Sequence, residues 1–126
     1  MRTMVQFSVG GSDYCLPVDA TRAVRSAAGL IALPGPVPDV AGLLTGDPPL
    51  TVLSPFGGGG KRIIVVQVGD LMYGLLVETV TGLRRVDETH IRAAPRGQRR
   101  KLVSGSIDID GQLVLVTDPA AMAVGI

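Results

Sequence analysis

Aromatic residues are scarce: two Tyr, two Phe and no Trp in 126 residues. So few rings argue against a site that stacks bases or sugars on aromatic faces. A single Cys and a single His exclude a disulfide framework and a Cys/His zinc centre. Charge of one sign is missing as well. Twelve basic residues meet eleven acidic ones, and a net +1 exerts no global pull toward nucleic acid or anionic lipid. The longest near-apolar stretch, Ile63 to Val68, contains Gln67 and is far shorter than a bilayer span. Met1 to Phe7 hold no apolar signal core. These absences point to a cytoplasmic protein with no membrane insertion, and the lone Cys15 fits a reducing compartment.

Apolar residues are plentiful at 46%, enough to exclude disorder, and 17 Gly with 9 Pro demand many turns. Alternation is the dominant pattern. Val5, Phe7 and Val9 alternate with polar neighbours, Gly10-Gly11-Ser12 turns the chain, and Tyr14, Leu16 and Val18 resume the alternation as a β-hairpin. Pro17 cannot donate to a ladder, so the second strand lies at an edge or ends there. Asp19 reads as the N-cap of a two-turn helix over Ala20 to Ala27, with Arg22 and Arg25 on its outer face. Leu30 to Leu33 and Leu50 to Leu53 read as strands, and Val40 to Leu44 as a helical turn or a strand entry. Pro34 to Pro38 cannot be regular structure, and Gly57 to Gly60 forms a linker. Arg62 to Val68, Leu71 to Val77 and Val80 to Val86 are strands, and Asp87 to Ile91 a helical turn. Leu102 to Ile109 alternates with Val103, Ile107 and Ile109 on one side, Asp110-Gly111 is a two-residue hairpin turn, and Leu113 to Val116 returns. Asp118-Pro119 opens a short terminal helix. About nine or ten short strands with little helix predict a small all-β barrel architecture. Both ends carry strands and each half is small for a core of its own, so the terminal hairpins should pair across the chain in two lobes.

No arrangement of residues carries chemistry. Gly57 to Arg62 imitates a phosphate loop, but Pro55 stands where the first Gly belongs and Arg62 where a magnesium-binding hydroxyl belongs. Cys15 and His90 share no spacing that would pair nucleophile with base, and Cys15 reads as a buried structural thiol. Asp108 and Asp110 flank Ile109, but the turn explains Asp110, the cap explains Asp118, and alternation turns Asp108 to solvent. No catalytic residue, cofactor or metal is expected. The one concentration of charge runs from Arg84 to Lys101. Between Thr81 and Lys101, Arg84, Arg85, Arg92, Arg96, Arg99, Arg100 and Lys101 oppose Asp87 and Glu88 for a local +5. That run supports a rival reading as a single-strand nucleic-acid binder. The absence of interleaved aromatics favours a protein-docking or solvated face instead, so no nucleic acid is expected.

The order of these pieces resembles the CheW-like family, best known for the coupling protein of bacterial chemotaxis, over roughly Val5 to Met122. Val5-Gln6-Phe7-Ser8-Val9-Gly10 with Tyr14-Cys15-Leu16-Pro17-Val18 is similar to the family's opening hairpin. Leu33-Pro34 and Val40-Ala41-Gly42-Leu43-Leu44 are similar to its central segment. Arg62 to Val66 with Gly74 to Val80 resemble its middle strand pair, and Val103 to Ile107 with Gly111 to Asp118 its closing hairpin. The resemblance implies one domain over residues 1–126, made of two intertwined five-stranded SH3-like β-barrels with short helices. It implies a non-catalytic adaptor with two partners: the regulatory domain of a CheA-type histidine kinase and the cytoplasmic tip of a methyl-accepting chemoreceptor. Kinase docking is expected around Leu75, Val77, Val80 and Leu83, and receptor contact at Leu43, Leu44, Thr45, Gly46 and Asp47. Family members usually carry an Arg in that central segment. Here it is absent, the segment is one residue short, and Thr51 and Ser54 replace the usual Pro and Asp. The chain also ends sooner after its closing hairpin than members usually do. The missing Arg implies weak receptor coupling.

Overall fold

A computed structural model describes residues 1–33, 37–57, 59–97 and 102–124. The opening hairpin pairs β1 (Arg2–Val9) with β2 (Ser12–Pro17) across Gly10 and Gly11, whose φ values of 59° and 81° suit residues without a Cβ. A 3₁₀ turn at Val18–Ala20 leads into β3 (Thr21–Ser26), and a second at Ala27–Gly29 into β4 (Leu30–Ile31). The middle of the chain supplies β5 (Val40–Leu44), β6 (Leu50–Leu53), β7 (Arg62–Val68) and β8 (Leu71–Val77). β9 (Thr79–Val86) precedes a 3₁₀ turn at Glu88–His90. The closing hairpin pairs β10 (Val103–Ile109) with β11 (Gln112–Thr117) through Asp110 and Gly111, both at positive φ. α1 (Pro119–Ala123) follows, capped by the Asp118 carboxylate, which accepts from the Ala120 and Ala121 N–H groups.

Eleven strands thus form among the described residues, in two sheets ordered β10-β11-β2-β1-β9 and β3-β7-β8-β6-β5-β4. The two curled sheets make two SH3-like barrels, the second extended by the two-residue β4. The first lobe takes both ends of the chain and the second takes the middle. β11 lies parallel to β2, with Leu115 opposite Tyr14, and the Thr117 hydroxyl donates to the Cys15 carbonyl at 2.9 Å. The expected non-local pairing of the terminal hairpins is therefore present. Pro17 ends β2, a strand in the middle of its sheet, so only the second of the two readings for that Pro holds.

Two local expectations fail. Ala20 to Ala27 is not a helix: Thr21–Ser26 is an edge strand antiparallel to β7. Its alanines at helical spacing carry too little surface to make a helix outweigh the ladder that β7 offers. The second concerns β10. A bulge between Val103 and Gly105 rotates the strand, so Val103 packs in one core cluster and Ile107 and Ile109 in another.

Three clusters of buried side chains result. Met4, Cys15, Val86, Ile107, Val114 and Val116 fill the first barrel, and Leu44, Val52, Ile63 and Leu76 the second. The largest cluster draws on both sheets: Phe7, Tyr14 and Leu16 from the first meet Ile64, Tyr73, Leu75 and Val77 from the second. Phe56 reaches across from the loop after β6 and stacks on Tyr14 with ring centroids 4.3 Å apart. The buried Tyr73 hydroxyl donates to the Pro119 carbonyl at 2.9 Å, tying α1 to β8.

Candidate docking site

The junction of the lobes leaves a groove of about 270 Å³ between β3 of the second lobe and β1 and β9 of the first. β3 gives Val24, 47% exposed, and β9 gives Leu83, 61% exposed. Two exposed aliphatic side chains across a shallow groove suit a partner that buries them. Local structure puts them there. A register shift between Gln6 and Phe7 pairs Gln6 with Gly82 and Phe7 with Val80, leaving Thr81 as an extra residue. The bulge brings Val80 and Leu83, three apart in sequence, to the same groove. Gly82 lies between them in the groove's lining at φ 138°, a backbone conformation that favours a residue without a Cβ.

The predicted kinase-docking set divides here. Leu75 and Val77 are both 0% exposed in the core shared by the lobes, so they offer a partner no surface. Val80 is half-buried and Leu83 exposed, and both line the groove. A strand that is apolar on both faces does not reveal from its sequence which residues reach solvent. The receptor-facing segment divides likewise. Leu44 belongs to the second barrel's own core and Leu43 is half-buried, while Thr45, Gly46 and Asp47 are exposed between β5 and β6. Sequence reasoning missed β3 altogether. Its signals were the β-branched Thr21 and Val24 among small residues, read as helix because of the alanine spacing.

The residues weighed for chemistry have structural roles. Cys15 is wholly buried on β2, where desolvation pushes its thiol up to about 12. His90 lies at the surface, 3.9 Å from the Asp87 carboxylate. Asp87 is held below the usual carboxylate range by the Thr89 hydroxyl and the Thr89 N–H. Asp108 accepts the Gly111 N–H inside the closing hairpin, and Asp118 caps α1. The glycine loop runs into the strand β7, not into the helix N-terminus that a phosphate loop requires. The described part of the basic run divides at its first pair. Arg84 and Arg85 are neighbours on a strand and point to opposite faces. Arg84 is half-buried, donating to the Gln6 side chain at 3.2 Å, whereas Arg85, Arg92 and Arg96 are exposed. Arg99, Arg100 and Lys101 lie outside the described residues. No described helix is long and apolar enough to cross a membrane.

Two intertwined SH3-like barrels with an aliphatic groove at their junction place the chain among small two-lobed β-barrel modules. It belongs to the CheW-like domain family, which matches residues 36–125. The opening hairpin, Val5 to Val18, lies outside the matched span. The fold is similar to the crystal structure of scaffolding protein TtCheW from Thermoanaerobacter tengcongensis, with a TM-score of 0.82 and 21% identity, covering 93% of this chain and 84% of that one. A comparison with curated proteins gives no match.

Proposed function

We propose that the chain is a non-catalytic cytoplasmic adaptor of chemotaxis-type signalling that docks the regulatory domain of a CheA-type histidine kinase in the inter-lobe groove. Membership of the CheW-like family over residues 36–125 is the observation that carries this reading. The groove supports it with a two-sided aliphatic surface at Val24, Val80 and Leu83. The carboxylates that might have done acid–base work serve turns and caps instead. The nucleic-acid reading loses support because Arg84 and Arg85 diverge. A salt series on the purified protein separates the two: phosphate binding weakens steeply with salt, aliphatic docking much less. The direct test is titration of the purified kinase regulatory domain into the protein. Micromolar or tighter one-to-one binding is expected, and no binding would refute the reading.

Receptor coupling is the weaker half of the proposed role. The exposed Thr45-Gly46-Asp47 turn carries a negative charge where the family resemblance calls for a guanidinium. Losing a charge-assisted anchor commonly costs about 2 kcal/mol, roughly thirtyfold in affinity. The cognate receptor tip should therefore bind weakly or not at all. Micromolar binding abolished by Asp47→Arg would instead reveal an interface redrawn around the carboxylate.

A further inference from the structure

The chain contains no Asn, and only one of its Asp residues is followed by Gly: Asp110, in the closing hairpin. That junction has a reactivity of its own. The Gly111 nitrogen can attack Cγ of the protonated Asp110 side chain, and the amide proton leaves with the expelled hydroxyl as water. A five-membered succinimide results. Water then adds back at one of its two carbonyls. Opening at Cγ restores aspartate, whereas opening at the main-chain carbonyl routes the backbone through the side chain as isoaspartate. One water leaves and one returns, so the change needs no oxidant or co-reactant. Gly favours the first step because it has no side chain to hinder the attack, and a Cβ built at Gly111 would meet nothing within 4 Å. Asp110 and Gly111 are both exposed, so water reaches the ring.

The folded turn works against that step. Asp110 at φ 52° and Gly111 at φ 81° close the two-residue turn between the paired Ile109 and Gln112. The Gly111 N–H donates to Asp108 Oδ1 at 2.9 Å, a side-chain bond additional to the strand ladder. To react, the nitrogen must lose the proton that Asp108 holds. The negative charge left on it would lie beside a carboxylate, where like charge opposes ionisation. The bond also fixes the Gly111 peptide group, and the attack needs that nitrogen freed to approach Cγ.

We propose that Asp110-Gly111 is this chain's site of spontaneous aspartate isomerisation, and that Asp108 is the positioning residue that holds the Gly111 N–H and keeps the site in check. Its place in the fold makes the change costly. Isoaspartate adds a carbon to the main chain of a turn built for two residues. Beyond that turn β11 pairs with β2, and the Thr117 hydroxyl donates to the Cys15 carbonyl, so the closing hairpin joins the two ends of the chain. Isomerised protein should therefore exchange its amides faster across β10, β11 and β2.

The test ages the intact protein near neutral pH at physiological temperature, beside wild type held unfolded in guanidinium chloride. The readout is digestion by a protease that cuts before Asp and not before isoaspartate, with mass spectrometry of cleavage before residue 110. Unfolded wild type should lose that cleavage steadily, and native wild type about tenfold more slowly, the scale of one bond to a charged acceptor. Asp108→Ala should restore most of the lost rate, and Asp108→Asn, which keeps a neutral acceptor, should fall between. Asp108 is exposed, so both variants should melt with wild type, and a thermal scan checks it. Amide exchange across β10 and β11, measured before ageing, separates holding of the nitrogen from support of the hairpin: it should change far less than the isomerisation rate. Native wild type that reacts as fast as unfolded, or Asp108→Ala within about twofold of native wild type, would overturn the proposal. So would an acceleration in Asp108→Ala that amide exchange matches, because Asp108 would then only support the hairpin. No loss of cleavage in the unfolded chain would overturn the site itself.

Discussion

The first lobe closes over Met4, Cys15, Val86, Ile107, Val114 and Val116, whereas the second closes, among the described residues, over a smaller buried set of Leu44, Val52, Ile63 and Leu76. Neither set approaches the sixteen buried residues of the cluster that both lobes share. The two barrels also differ in how the chain builds them. The second is made of strands from one continuous stretch, while the first needs β2 and β11 to meet from opposite ends. The comparison teaches that the lobes are separable in outline and joined in energetics. Most of the buried residues in these three clusters belong to the one that both lobes share, and burial is the main favourable term in folding. We propose on this ground that residues 1–126 fold as one unit. The groove then has walls from two barrels that cannot drift apart without opening the largest core.

The sharpest way to break that comparison is Leu75→Ala. Leu75 is fully buried in the shared cluster, and its truncation should cost about 2–5 kcal/mol. Both lobes should lose stability together. Hydrogen exchange should accelerate in β1 and β2 as much as in β7 and β8. Leu44→Ala, in the second barrel's small core, should fall at the low end, about 2 kcal/mol. Two resolved unfolding transitions in either variant would contradict the shared core.

Smaller effects come from the titrating groups. The folded Cys15 thiol is pushed from an ordinary 9.0 to about 12 by burial, so its stabilising contribution is full below about pH 9 and is lost as pH rises from there toward 12. A thiol reagent at pH 8 should therefore label the native protein only as fast as it unfolds, and prompt labelling would place Cys15 at the surface. The smallest effect belongs to Asp87. Its lowered pKa means that the ionised form holds the turn at Glu88–His90 above the ordinary carboxylate range and lets go as pH falls. Asp87→Asn should speed amide exchange at Thr89 with no measurable change in melting temperature.

Much of the fold could be read from sequence, and the failures have physical reasons. The hairpin at Asp110-Gly111 was legible because its turn demands two positive φ values and those residues supply them. β7 and β8 announced themselves as apolar runs too short for buried helices. β3 was hidden because its alanines fit a helix locally, and only pairing with β7 decides otherwise. The bulge in β10 was equally hidden, since the alternation of Val103, Ile107 and Ile109 looks unbroken in sequence. In the docking set, Leu75 and Val77 were named for their apolarity, which is why they are core. Leu83 carried a usable signal: it is the one large apolar residue among the exposed positions Thr79, Thr81, Leu83 and Arg85 of β9.

The central claim is that this protein works by burying the inter-lobe groove against a kinase regulatory domain, and Leu83→Glu tests it most directly. Leu83 is 61% exposed, so the substitution should leave the melting temperature where it is. Isothermal titration with the purified regulatory domain should show at least a tenfold loss of affinity, about 1.4 kcal/mol. Wild-type affinity in a variant that folds normally would contradict the account.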